Sequence, residues 1–230
     1  MAIRHTANTL LLSAVLLWNT TASADMCGEF LDAAGSDTGI IVLAGLPAGG
    51  TVAVMDLLGN TRFIVYLQSE ERAALTELRD RADGAGFLGT RLFLDTGPLS
   101  AIGIANNLAD AARVGPPARK DVDQKELLRV VRPGGVVVIG NRKIVKPRPD
   151  GVDDWSHPYH GPDNNPYSPD RLATGPLRTQ FIAAPTFSPM PQQTVIADGR
   201  VVKAFGHIAH RRNQNMHLNS LVCLNGYNGV

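Results

Sequence analysis

Residues Gly151-Val-Asp-Asp-Trp-Ser-His-Pro-Tyr-His-Gly-Pro-Asp-Asn-Asn-Pro166 combine three prolines, three aspartates and two histidines in one short stretch. Each proline fixes φ and removes a backbone donor, and Asp, Asn and Gly favour turns over ladders, so neither a helix nor a strand can run through this segment. It therefore divides the chain. Before it, apolar runs alternate with helical periodicity; after it, the helical periodicity disappears and hairpin signals take over.

The first part reads as βαβ units. Gly39-Ile-Ile-Val-Leu-Ala44 is a continuous apolar run of strand length, suited to a strand covered on both faces. It leads into Gly45-Leu-Pro-Ala-Gly-Gly50 and then a helical pattern through Val52, Met55 and Leu58. Arg62 to Leu67 is the next strand, and Ser69, Glu70 and Glu71 read as the cap of a helix whose Leu75 and Leu78 face inward. Arg91 to Asp95 is a third strand. Residues Ile102 to Ala112 fit a strand or a helix equally, whereas Lys125 to Val131 is a short helix that stops at Arg132-Pro-Gly-Gly135 before the strand Val136 to Ile139. Strands alternating with helices predict a doubly wound, mostly parallel sheet.

The second part has the punctuation of a β-meander. Thr194 to Lys203 is two short β runs around Asp198-Gly199, a strong local hairpin signal, and Leu221-Val-Cys-Leu224 is a third strand before the turn Asn225-Gly-Tyr-Asn-Gly229.

Charge and targeting signals narrow the partners. With 22 basic and 21 acidic residues in 230, no polyelectrolyte attraction to nucleic acid is expected. The cluster Arg142, Lys143, Lys146 and Arg148 reads as solvated linker charge. Arg4 and His5 precede an apolar run from Leu10 to Trp18, and Ala22-Ser23-Ala24 supplies a cleavage signature, so residues 1–24 are expected to be a signal peptide and the mature chain to be exported, periplasmic or extracellular. That run falls short of the roughly 20 residues of a spanning helix, so no transmembrane anchor is expected. In an oxidising compartment Cys27 and Cys223 could pair, with two inert thiols as the alternative.

Glu126-Leu-Leu-Arg-Val-Val-Arg-Pro-Gly-Gly-Val136 resembles the last helix, turn and fifth strand of class I methyltransferases that use S-adenosylmethionine. The resemblance covers roughly residues 30 to 140 and implies a Rossmann-like fold. It implies a glycine-rich loop after the first strand and an acid at the end of the second that bonds the ribose hydroxyls. Gly45 and Gly49 match the loop, but Pro47 stands where the family carries a glycine; Gln68 stands where the ribose acid belongs, and Asp95 matches an acid near the adenine. Gln68 offers one acceptor and two donors in place of a bidentate anion. These positions describe a degenerate cofactor site, and a domain kept as a scaffold.

The hairpin, the leucine strand and the Asn-Gly turn resemble the first blade of the propellers related to pyrroloquinoline quinone dehydrogenases. The whole arrangement, with the Asp-Asp-Trp-Ser-His-Pro-Tyr-His phrase and Asn213-Gln-Asn-Met-His217, is similar to long exported quinoprotein-like propeller proteins. It implies an order of signal peptide (1–24), methyltransferase-like α/β domain (25–141), Pro/His/Asp-rich linker (142–192) and partial blade (193–230). It also implies that further blades follow Val230, and that S-adenosylmethionine or pyrroloquinoline quinone is the cofactor to test. Three functions stay open: a propeller-related binding or redox protein with a degenerate methyltransferase-like domain, an active methyltransferase, and a metal- or carbohydrate-binding module in the linker. For that last reading His157, His160 and Asp154 are the candidate metal ligands.

Overall fold

The computed structural model describes residues 26–116, 122–185 and 191–230, so the expected signal peptide lies outside the described residues. The chain forms two compact units that meet at Lys146 and Pro147.

The first unit begins with a helix over residues 26–34 (α1) and continues β1 (Ile40–Ala44), α2 (Gly50–Asn60), β2 (Ile64–Ser69), α3 (Arg72–Gly84), β3 (Leu92–Thr96), β4 (Ala109–Val114), α4 (Gln124–Val130), β5 (Val131–Ile139) and β6 (Arg142–Val145). The sheet order is β3-β2-β1-β4-β5-β6. The first five strands are parallel and β6 is antiparallel to β5. This is a doubly wound α/β fold with the strand order reversing at β1 and β4, the place where such sheets bind ligands.

The apolar run at β1 is buried on both faces, as its composition predicts. Ile41 and Leu43 face a layer built from Met26 and Phe30 of α1, Val54, Leu57 and Leu58 of α2 and Leu78 of α3. Val42 and Ala44 face the opposite layer, which contains Leu127 and Val130 of α4 together with Leu99 and Ile102. Those last two residues belong to no helix. The ambiguous stretch resolves into an irregular loop over residues 97–108 followed by β4, so one crossover is a loop packed on the sheet.

Three local expectations are corrected by tertiary contacts. Ser69 ends β2 and accepts the Glu71 amide at 3.1 Å, while α3 begins at Arg72 with Glu71 as its cap position. Arg132-Pro-Gly-Gly135 is an irregularity within β5, since Ala109 pairs with Val131 and Ala111 already pairs with Val136. The extra residues bring Arg132 to Asp110. The expected linker start at residue 142 also moves, because Arg142–Val145 pairs with β5 around a tight turn at Gly140. Lys146 closes this unit, its ammonium held by Asn107 Oδ1, the Leu128 carbonyl and the Val131 carbonyl at 2.5, 2.5 and 2.8 Å. A lysine at the end of α4 satisfies carbonyls that the helix leaves orphaned.

The second unit contains β7 (Pro191–Ala197), β8 (Arg200–Phe205), a 3-10 turn (Arg212–His217) and β9 (Leu221–Asn225), with β7-β8-β9 as an antiparallel sheet. Asp198 and Gly199 make the hairpin turn with φ of 48° and 70°, the left-handed pair a two-residue loop requires. A three-stranded meander is shared by many β architectures and does not by itself single out a propeller. Residues 147–171, expected to be linker, form a strap that belongs to this unit. Trp155 pairs with Ile196 of β7 through two backbone hydrogen bonds of 2.8 and 2.7 Å. Both cysteines are free thiols: Cys27 is half-buried and Cys223 is exposed.

Candidate cofactor site

The ends of β1, β2 and β3 bring the four expected cofactor positions to one edge of the parallel sheet. Gly45 turns the chain out of β1 at φ 79°, and its amide donates to the Gln68 carbonyl at 2.8 Å. Gly49 is the cap position of α2, which has no side-chain cap. Between them Leu46 and Pro47 are buried in the unit's own interior. Leu46 also closes the loop onto β4: the Gly115 amide donates to the Ala44 carbonyl at 2.9 Å, and a Cβ on Gly115 would stand 2.0 Å from the Leu46 carbonyl oxygen. Only backbone without a side chain fits there.

Gln68 is 2% exposed. Its amide nitrogen donates to the carbonyls of Pro98 and Ala101 at 2.7 and 2.9 Å. Its oxygen accepts the Tyr66 hydroxyl at 2.8 Å and the Gly103 amide at 2.9 Å. Two donors and two acceptor positions are all a carboxamide has, so the side chain is saturated by its own protein. The position at which the resemblance places a ribose carboxylate is a clasp for the loop 97–103.

Asp95 extends the clasp. Its Oδ1 accepts the Thr96 amide at 2.8 Å, and its Oδ2, 3.1 Å from the Tyr66 oxygen, shares the single phenol proton with Gln68. Partial burial, then the Asp95 hydrogen bond, push the Tyr66 phenol up to about 12. Gly103 makes this approach possible, since a Cβ there would lie 2.7 Å from the Tyr66 oxygen and 3.0 Å from Asp95 Oδ2. The loop is anchored from a second side by α4. Glu126 Oε1 accepts the Ile102 amide at 2.6 Å, and Arg129 donates to the carbonyls of Ile102 and Ile104 at 2.6 and 2.8 Å. The Arg129 guanidinium beside Glu126 holds that carboxyl below the ordinary carboxylate range.

Sequence reasoning placed Gly45, Gly49, Gln68 and Asp95 at one edge and missed Tyr66, Gly103, Glu126 and Arg129. No local signal marks these four, because a strand tyrosine, a loop glycine and an i,i+3 helix pair are ordinary on their own. The fit to S-adenosylmethionine is poor. Ribose hydroxyls need acceptors, and at the end of β2 the Gln68 carboxamide oxygen is already engaged by its own protein; Asp95 and Glu70 keep exposed carboxylates.

In the second unit the three candidate metal ligands do not converge. Asp154 takes two hydrogen bonds from Arg148 at 2.9 and 3.0 Å and the Asp198 amide at 3.2 Å. His160 Nε2 bonds Asp153 Oδ2 at 2.5 Å, and His157 Nδ1 faces the Ser156 hydroxyl at 2.9 Å. Among the described residues no group of three or more His, Cys, Asp or Glu side chains is placed to hold a metal ion. A cavity of about 220 Å³ opens beside the hairpin turn, lined by Val152, Ile196, Val201, Tyr227 and the Arg148–Asp154 pair, with Asp153. Two carboxylates against one arginine make it unsuited to a tricarboxylate such as pyrroloquinoline quinone. No helix among the described residues is long and apolar enough to cross a membrane.

No family model matches the chain, and no curated protein does. The likenesses are to solved structures. A Methanococcus maripaludis protein assigned to the S-adenosyl-L-methionine-dependent methyltransferases is 18% identical over 50% of this chain and 53% of its own, with a TM-score of 0.43. A geranyl diphosphate methyltransferase solved with S-adenosylmethionine is 20% identical over 51% of this chain and 48% of its own, at 0.42. A methyltransferase from Aquifex aeolicus is 14% identical over 49% of this chain and 62% of its own, at 0.40. The chain thus spans about half to three-fifths of each of these structures.

Proposed function

We propose that the α/β unit is a methyltransferase-like domain that has given up its cofactor and serves as a structural or docking unit. The observation that carries this reading is the saturation of Gln68. A working ribose site presents free acceptors to a diol, and here both acceptor positions of the carboxamide are filled by Tyr66 and Gly103. Burial of Leu46 and Pro47 in the loop after β1 points the same way, since both residues fill the unit's own interior.

Titration of the full chain with S-adenosylmethionine tests it. The reading expects no heat of binding and no shift in melting temperature. Stoichiometric binding that Asp95→Ala abolishes would overturn it in favour of an active methyltransferase, a reading that draws on the exposed Asp95 carboxylate at the right strand end.

The setting of this domain is part of the same proposal. The chain belongs to an exported, propeller-related binding or redox protein, and its second unit contributes the first blade. The Asp-Gly hairpin followed by the leucine strand supports this, and the signal-like segment before Asp25 supports export. Amino-terminal sequencing of the exported protein should begin at Asp25, and an intact Met1 on protein recovered outside the cytoplasm would contradict it.

A further inference from the structure

The cavity of the second unit lies where the strap meets two turns. The Asp198 amide donates to Asp154 Oδ1 at 3.2 Å, and the Gly226 amide donates to the Gly199 carbonyl at 2.7 Å, so strap, hairpin and the turn after β9 are tied together there. Both glycines line the space. At Gly199 φ is 70° and a Cβ would stand 2.6 Å from the Tyr227 ring, so only glycine lets that ring close over the turn.

The size of the cavity limits its ligand. About 220 Å³ is the share of roughly seven waters at about 30 Å³ each, and it falls below the ~300 Å³ at which pockets for drug-sized molecules begin. One six-membered ring with its substituents fits; an extended cofactor does not.

Hydrogen-bonding capacity limits the ligand further. Arg148 spends two of its five N–H donors on Asp154, which accepts three hydrogen bonds of the four or so a carboxylate can take. Asp153 holds His160 and Ser168 with Oδ2. A guanidinium with donors to spare thus stands beside carboxylates with acceptor positions to spare. An ammonium ligand only donates and meets the arginine, whereas a carboxylate or phosphate only accepts and meets the aspartates. A hydroxyl does both. The rest of the lining includes the apolar side chains of Val152, Ile196 and Val201 and the ring of Tyr227.

We propose that this cavity binds a neutral sugar ring, either a monosaccharide or the end of a glycan. The C–H faces of such a ring suit the apolar walls, and adjacent hydroxyls on its rim match the Arg148 donors and the aspartate acceptors. The bidentate Arg148–Asp154 pair is formed before any ligand arrives, so binding does not have to order it. The site belongs to the second unit and does not depend on whether the first binds a cofactor.

The test is a titration of the full chain, labelled with nitrogen-15, with the Gly199 and Gly226 amides as reporters. Glucose, galactose, mannose and N-acetylglucosamine are each added up to about 50 mM, because so small a ligand in an open site binds in the millimolar range. At least one sugar should shift both amides saturably. The methyl glycoside of that sugar separates the sources: equal affinity assigns the site to glycan ends, and loss of binding assigns it to the free sugar.

Val201→Phe fills the space while leaving the charged pair in place, and it should abolish the shifts; Val152→Phe does the same from the strap. Arg148→Met should weaken binding roughly tenfold or more, the range of hydrogen bonds to a charged group. No saturable shift with any of these sugars, undiminished affinity in the filled variants, or a response to phenethylamine in place of the sugars would each overturn the site.

Discussion

Arg132 Nε donates to Asp110 Oδ1 across 2.6 Å, and the other oxygen of the same carboxylate accepts the Ile40 amide at 2.9 Å. The side chains of Arg132 and Asp110 are 16% and 4% exposed. One carboxylate thus ties the first turns of β1, β4 and β5 at the edge of the sheet opposite the candidate site. Removing one partner of a buried pair strands the other charge, which costs about 3–5 kcal/mol. Arg132→Met should lower unfolding stability by that amount, measured by urea titration of the α-helical circular dichroism signal, since the α-helices among the described residues lie in the first unit. A midpoint unchanged from wild type would show that the pair is dispensable.

The clasp at Gly103 has no room for a methyl group. A Cβ would press on the Tyr66 oxygen at 2.7 Å, so Gly103→Ala must displace either the loop or the phenol. Overpacking of this kind costs about 1–3 kcal/mol. Calorimetric melting of the variant beside wild type checks it, and an unaltered melting temperature would mean that the loop yields freely.

Tyr66 should be the late tyrosine in an absorbance titration at alkaline pH, ionising near 12. Because its folded value is raised, the native state holds a proton that the unfolded chain gives up near pH 10. Its contribution to stability is therefore full below pH 10 and is lost as pH rises toward 12. Tyr66→Phe should remove both the late transition and this stretch of the pH–stability curve; persistence of the transition would assign it elsewhere.

Glu126 gives the opposite sign. Its folded value is lowered, by the Arg129 hydrogen bond above all, so its contribution is present above the ordinary glutamate range and is lost as pH falls through the lowered value. Stability measured from pH 6 down into the acid range should fall more steeply in wild type than in Glu126→Gln. Parallel curves would show that the clasp of α4 on the loop does not depend on this charge.

How much of this was legible beforehand varies with the range of the interactions involved. β1 could be read from Ile40 to Ala44 because a strand buried on both faces needs no partner to declare its composition. The Asp198-Gly199 hairpin was equally local, since its left-handed pair excludes most other residues. The Arg-Pro-Gly-Gly phrase marked the right place but suggested a turn. Its bulged register depends on Asp110, a residue of another strand, and no window around residue 132 contains it. The strand β6 was hidden for a similar reason, as Arg142-Lys-Ile-Val145 looks like solvated charge until β5 offers it an edge.

The candidate site shows the same division. The sequence by itself determined that Gln68 ends the second strand and that Pro47 sits in the glycine loop; that an acid and a glycine are expected there is what the methyltransferase resemblance implies. Only the tertiary structure decided what Gln68 does instead, because its four partners come from Tyr66, Pro98, Ala101 and Gly103, up to 35 residues away. Likewise the sequence determined that residues 151–166 could not be a helix or strand, through proline and turn chemistry alone. That this stretch grips the edge of β7 through Trp155 follows from a pairing across roughly 40 residues that composition cannot encode, while His160 is set on Asp153 only 7 residues away. Local chemistry sets what a segment cannot be, and its partners, chosen by folding, set what it becomes.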